Sequence, residues 1–341
     1  MNRLGGGDEC LEADDLMAGV TVATRRGLQL ALEAVWLLDA GLQFQPSMFS
    51  HGFAHDVVAP AGVDQPGLVA GSVRFAVTAI ASHPVLTNAA FGLVQLVLAL
   101  CLLVRRTARV ALMGSIVWSA GVWWFGEGAG GVFSGHAMLL TGAPGSALLY
   151  ALVAVVALPR RGTDGLGEPP RRVALVGWVG VWLLGAVLQL LPGQNSAAAV
   201  RGTADALPSA FGSAVRHVAD GISRHPASLV VLVLVQLAVG LLAVRRGPLR
   251  AASCGLGVAA AAVFWVFGQA LGALVTGQST DPNTAPLLVL LAVAVAAIPD
   301  RHRAPATHPA KREQLTATQG HLDVAFSLNT GRPHATVHAS G

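Results

Sequence analysis

Charge is scarce in this chain. Asp, Glu, Lys and Arg make up 12% of its 341 residues, about half the roughly 25% of an average soluble domain. Hydrophobic residues reach 53% and the mean hydropathy is +0.60. One buried core cannot absorb that excess, because the apolar residues come in long, almost uncharged runs. Cysteine is also rare. Cys10, Cys101 and Cys254 all fall outside the loops expected to face an oxidising space, so no structural disulfide is expected. No Lys-Ser or Lys-Thr follows the Gly-rich runs, which excludes a phosphate-cradling loop. HExxH and a Ser-His-Asp arrangement are absent. Met48, His51, His55, His136 and Met138 include soft ligand types, but the segment around them has no clear helical register. No metal, cofactor or nucleic-acid partner is therefore expected.

What is present is a set of apolar runs long enough to span a bilayer as helices. Eight can be read: 27–45, 85–104, 108–126, 145–159, 173–191, 227–244, 249–270 and 285–299. The fourth and eighth are short. At 1.5 Å per residue they reach about 22 Å, against a hydrocarbon core of about 30 Å. Either these helices begin before Pro144 and Pro286, or the preceding loop dips inward. The Arg clusters fall at alternate ends of the runs, so that one side holds 18 of the 22 Lys and Arg. By the positive-inside rule that side is cytoplasmic, and both termini lie there. The high Arg, Ala and Gly usage points to a GC-rich bacterial genome and its plasma membrane.

The chain also repeats itself. Pro66, Arg74, His83 and Pro84 return 142 positions later as Pro208, Arg216, His225 and Pro226. Trp123, Phe125, Gly126, Gly130, Gly135 and Pro144 return in the same register as Trp265, Phe267, Gly268, Gly272, Gly277 and Pro286. Trp36, Gln43 and Pro46 are matched by Trp182, Gln189 and Pro192. So many uncommon residues in register imply a tandem duplication. The expected fold is an all-α integral membrane protein of eight spans in two parallel four-helix units. A disordered cytoplasmic tail is expected at 1–24, the first unit at 25–159, a polar cytoplasmic linker at 160–172, the second unit at 173–299 and a second disordered tail at 300–341. No cleavable signal peptide is expected at the acidic, Gly-rich N-terminus.

Between the first two spans of each unit lies a stretch with helical apolar spacing. Val69, Val73, Val77 and Ile80 form it in one copy, and Phe211, Val215, Val218 and Ile222 in the other. Each is expected to lie flat on the outer surface as an amphipathic helix, ended by His83-Pro84 or His225-Pro226. Arg216 and Asp220, four apart, can pair on one face.

Charges inside the membrane are the candidates for something specific, because a carboxylate at mid-bilayer costs roughly 2.5–3.5 kcal/mol and needs a partner, a wet cavity or a proton. Glu33 is close enough to Arg26 to snorkel. Asp39 lies deeper, on one helix face with Trp36 and Gln43, and Glu127 closes the third span. The expected polar site is Asp39, Gln43, Arg74, His83 and Glu127, with Arg74 or His83 as the carboxylates' partner. Its counterparts are Gln189, Arg216, His225 and Gln269. Gly185 stands where Asp39 would be and Gln269 where Glu127 would be, so the acidity belongs to the first unit alone.

Ala40-Gly41-Leu42-Gln43-Phe44 resembles the Ala/Ser-Gly-x-x-Lys-Leu signature that closes the first helix of DoxX-like small membrane proteins. The chain departs from it at Phe44 and Leu190, where that family has Lys. The resemblance implies a four-helix membrane unit working with redox or respiratory partners, and it carries over no catalytic residue. The chain as a whole also resembles a family of actinobacterial membrane proteins, which implies no activity. Three functions follow as expectations: a non-enzymatic helper or subunit that binds a membrane-protein partner or a second copy, a small-solute or proton-coupled ion carrier using the acidic site, and a membrane redox component.

Overall fold

The computed structural model describes residues 8–159, 166, 168–225 and 227–299, with the backbone alone at 8–23, 168 and 206. The C-terminal tail, most of the linker and the Cys10 side chain lie outside the described residues. Every regular element among those described is helical.

The first half opens with α1 (Asp8–Leu42), which begins well inside the segment expected to be a disordered tail. Its first turn carries Asp8 and Glu9, which suit the positive end of a helix, and Leu, Ala, Glu and Met follow as good helix formers. Short 3₁₀ and π turns from Pro46 to Gly62 lead to α2 (Gly67–Ser82), α3 (Pro84–Leu103) and α4 (Ala108–Gly121). A π turn over Val122–Gly126 prolongs α4, and an irregular loop leads to α5 (Ser146–Ala157). In the second half, α6 (Glu168–Gln189) takes in the end of the expected linker. Pro169 and Pro170 are tolerated there because a helix's first turn has no intrahelical use for its N–H groups. There follow α7 (Ser196–Thr203), α8 (Ser209–Arg224), α9 (Ala227–Ala243), α10 (Pro248–Phe267) and α11 (Thr284–Ala296).

By length and composition α3, α6 from Pro169 and α10 can each cross a membrane, and α8 with α9 would do so as a pair bent by 101°. The other apolar helices fall outside that test for identifiable reasons. Arg25, Arg26, Glu33 and Asp39 interrupt α1, the π turn divides the third run, and α5 and α11 have 12 and 13 residues. Those two start at Ser146 and Thr284, and the loops before them fold inward: Ala129, Leu139 and Leu140 of the first loop and Ala270 and Ser279 of the second are buried. Arginines tie off helix ends. Arg26 donates to the Leu102 and Leu103 carbonyls at 2.9 and 2.6 Å, and Arg250 to the Ile298 carbonyl at 3.1 Å. Cations there meet the negative end of the helix dipole.

Helix limits recur at the 142-residue spacing: α2 and α8 run from 67 to 82 and from 209 to 224. Their inner faces differ. Val69, Val73 and Ile80 are buried in α2, as the spacing predicts. In α8 the buried stripe is Gly212, Val215 and Ala219, while Val218 is exposed. The cause is a close approach: a Cβ on Gly212 would stand 2.6 Å from the Ala204 carbonyl oxygen. The expected Arg216–Asp220 pair does not form. Asp220 pairs with Arg201 at 2.5 Å and Arg216 with Asp205 at 3.5 Å, because α7 and the turn after it bring other partners nearer than one helical turn does.

Both loops after α4 and α10 begin with a left-handed turn. Residues 128–131 and 270–273 all have positive φ. Beyond the turn, Trp123 Nε1 donates to the Pro144 carbonyl at 2.7 Å, and Trp265 Nε1 to the Pro282 carbonyl at 2.8 Å. Pro282, and not Pro286, therefore makes the contact that Pro144 makes. Gly130 and Pro144 are 14 positions apart whereas Gly272 and Pro282 are 10 apart, so the second loop is shorter by four. Contacts across the halves are reciprocal. Ser47 Oγ and Gln45 Nε2 donate to the Gly277 and Ser279 carbonyls, and Gln194 Nε2 donates to those of Gly135 and Ala137. One hydrophobic core runs through both halves, from Leu28 to Val295.

Candidate functional site

Asp39 and Glu127 line one cavity of about 1100 Å³, and a third carboxylate, Asp281, lines it with them. The walls are apolar and aromatic: Trp36 from α1, Phe53 from the π turn, Phe91, Val94 and Leu98 from α3, and Trp118 and Val122 from α4 and its extension. Phe91 meets Trp118 edge-on, with ring centroids 5.3 Å apart. A smaller cavity of about 360 Å³ adjoins it, lined by the loop that runs from Gly130 to Gly145 and holds His136. Glu127, Thr141, Ser146, Asp281 and Asn283 line both. They form a polar layer between a vestibule and an apolar chamber.

Each carboxylate has its own fixing. Asp39 is 1% exposed, and its Oδ2 accepts a 2.5 Å hydrogen bond from the hydroxyl of Tyr150, the chain's single Tyr. The Tyr150 ring lies on Trp36 with centroids 4.5 Å apart, so the packing of α5 on α1 sets the donor's position. Asp39 Oδ1 has no partner. Glu127 Oε1 accepts from Ser146 Oγ at 2.6 Å and from the Ala147 amide at 3.0 Å, while Oε2 has none. Asp281 accepts from the Asn283 amide at 2.7 Å and from Thr280 Oγ1 at 3.1 Å. Glu127 and Asp281 lie beyond the ends of their apolar helices. Burial, and then the Asp281 charge, push the Glu127 carboxyl up to about 7, against the opposing pull of Ser146 and Ala147. Burial likewise raises Asp281. Glu127 thus holds its proton well above the usual carboxylate range.

The expected partners of these acids are elsewhere. Arg74 and His83 are exposed and line neither cavity. Arg74 points outward because α2 turns Val69 and Val73 inward. His83 sits at the α2–α3 break, with Nδ1 3.1 Å from Ser82 Oγ. Their counterparts Arg216 and His225 are exposed too. A phenol, a hydroxyl and backbone amides take the place of the expected guanidinium. The glutamines hold different posts. Gln43 lines the cavity with Oε1 unpartnered, and its carbonyl accepts from Asn88 Nδ2 at 2.7 Å. Gln189 donates to Ser196 Oγ at 2.6 Å. Gln269 Oε1 accepts from the Ala285 amide at 3.3 Å, the position that Glu127 holds toward Ala147. Met48 is buried in an apolar cluster with Phe53 and Val58 while His51 and His55 are exposed, and no cluster of metal-ligand type occurs among the described residues.

Tyr150, Asp281 and Gln95 are not among the residues the sequence singles out. A lone Tyr inside an otherwise aliphatic run is a readable signal. Asp281 is not, because it reads as an ordinary turn residue before Pro282.

Beside Gly185, among the described residues, the corresponding space is filled by the first half. A Cβ on Gly185, where Asp39 would be, would press on Leu139 at 2.8 Å and on the Gln236 side chain. Leu139 and Leu140, both buried, come from the longer loop of the first half and occupy that space. The shorter loop of the second half reaches the first half with Thr280 and Asp281 instead and leaves the space open.

Comparison with family models, with curated proteins and with solved structures finds no match for this chain.

Proposed function

We propose that this chain is a multi-pass protein of a bacterial plasma membrane, built of two tandem parallel four-helix units, that carries a small solute or cation through the first unit with the help of protons. Eight spans with both termini cytoplasmic follow from the alternating Arg clusters. Helix limits shared at the 142-residue spacing, paired left-handed turns and reciprocal loop contacts support the duplication. The carrier reading rests on one observation above all: the acidic layer of Glu127 and Asp281 borders both vestibule and chamber, with Asp39 in the chamber behind it. A purely structural acid would have both oxygens satisfied. Here Asp39 and Glu127 each keep an oxygen without a partner.

The test is flux. Purified chain in proteoliposomes with an imposed pH gradient should carry protons, alone or with a solute, and Asp39→Asn and Asp281→Asn should each abolish that movement while leaving the protein folded. A helper or subunit of the DoxX-like kind, working with a redox partner, would instead show no flux and would co-purify with a stable membrane partner in mild detergent. Topology has its own test. Cysteines placed at Gly62, Ser134 and Thr280 in a Cys-free chain should react on whole cells with an impermeant thiol reagent, and one at Thr107 should not.

A further inference from the structure

We propose that the chamber of the first half binds a lipophilic amine, an apolar chain ending in a protonated ammonium, which enters sideways from the lipid past α4. The inference rests on the carrier reading for its place in a transport cycle, but the binding stands on separate observations.

The first is the polarity of what is unsatisfied. Asp39 Oδ1, Gln43 Oε1 and Gln95 Oε1 are hydrogen-bond acceptors without partners, their residues are 1%, 3% and 6% exposed, and all three residues line the chamber. Buried acceptors left unmade are costly, so a ligand that brings several N–H donors is favoured over one that brings none. The second is charge. Three carboxylates line the chamber and no Lys or Arg does among the described residues, so an anion would meet repulsion and a cation would not. The third is the wall. Trp36, Phe91 and Trp118 present aromatic surface, which suits an alkyl chain and attracts an ammonium held over a ring face. The fourth is the opening. Val117 and Phe125 line the chamber yet are 74% and 42% exposed. Val110, Met113 and Val117 form an exposed apolar stripe on α4 at helical spacing. A mouth on such a face admits molecules already dissolved in the bilayer.

The experiment uses the full chain in nanodiscs of zwitterionic lipid, with empty nanodiscs subtracted so that partitioning into lipid cancels. Tryptophan fluorescence is followed during titration with decylammonium, decyltrimethylammonium, decanol and decanoate. Decylammonium should give a saturable change. Decyltrimethylammonium, which has the charge but no N–H, and decanol should each bind at least tenfold more weakly, and decanoate should not saturate. Asp39→Asn should weaken decylammonium at least tenfold. Val117→Trp, a change on the exposed face that leaves the core intact, should slow its association severalfold, which keeps the test decisive should the Asp39 variant fail to fold. Equal affinity for amine and alcohol, saturable binding of decanoate, or indifference to Val117→Trp would overturn the proposal. Amine binding without any flux would uphold it and defeat the carrier reading. Proton or solute flux with no saturable amine binding would do the reverse.

Discussion

Replacing Tyr150 by Phe tests whether Asp39 is held as a partnered buried acid. The two side chains are 2% and 1% exposed, and the hydroxyl is 2.5 Å from Oδ2. Among the described residues no other hydrogen bond reaches the carboxyl, whose Oδ1 has no partner. Leaving a buried acceptor without its donor costs about 1–3 kcal/mol, so Tyr150→Phe should destabilise the chain by about that much. Asp39→Leu alone strands the phenol and should cost about 1–3 kcal/mol. The double variant removes both polar groups, and the adjoining chamber can take up the bulkier Leu, so it should return to within about 1 kcal/mol of the native chain. The coupling from the cycle should then reach about 2 kcal/mol. Unfolding in mixed micelles with increasing SDS, followed by tryptophan fluorescence, reads all four species. A coupling under about 0.5 kcal/mol, the level at which independent sites add, would refute the pair.

Glu127 gives a pH signature: with its value raised from 4.5 to about 7, the folded chain holds a proton there that the unfolded chain releases, so stability falls as pH climbs through that window and the loss is complete above it. The shift amounts to on the order of 3 kcal/mol, so Glu127→Gln should stabilise the chain at pH 8 and leave it nearly unchanged at pH 4; a pH-independent difference would defeat the argument. Ala273 is half-buried in the left-handed turn at φ 53, and Ala273→Gly should raise stability by up to about 1 kcal/mol in the same SDS assay, since a non-glycine residue pays roughly 1–2 kcal/mol in that conformation. Gly130 has φ 61 and a Cβ on it would run into the Pro144 carbonyl, so Gly130→Ala should destabilise by about 2 kcal/mol or more and disturb the Trp123 fluorescence.

Patterns with a period were legible in the sequence; contacts between distant loops were not. The stretches that follow Pro66 and Pro208 and stop at His83-Pro84 and His225-Pro226 are α2 and α8, because Pro at the start and His-Pro at the finish act on the local backbone. The 142-residue register marked Asp39 and Glu127 as the unusual carboxylates. Their partners escaped it. Pairing Asp39 with Arg74 came from a general preference of carboxylates for guanidinium, but the direction of Arg74 was already implied by Val69 and Val73, which must turn inward and so turn Arg74 out. The donor that does serve Asp39 stands 111 positions away on α5, where helix packing and not spacing decides proximity. Register failed outright at one place. Pro286 matches Pro144 in number, yet Pro282 makes its contact, because a loop can lose four residues without any trace in the flanking helices.

That four-residue difference accounts for the asymmetry between the halves better than the acidic residues do. Each half sends its last loop into the other half's neighbourhood, held by Gln45 and Ser47 on one side and by Gln194 on the other. The longer loop carries Leu139 and Leu140 far enough to pack on α6 beside Gly185, where any side chain would collide. A glycine in that place is therefore the consequence of a filled space. The shorter loop stops at Asp281, short of the corresponding space beside α1, and a chamber of about 1100 Å³ stays open there. An acid at Asp39 borders that chamber instead of a filled apolar core, which carries the larger penalty for an acid. Loop length comes first, the chamber follows from it, and the carboxylates are tolerated because of the chamber. The structural difference between the halves thus lies in the length of a loop, and Asp39, Glu127 and Asp281 line the space that the shorter loop leaves.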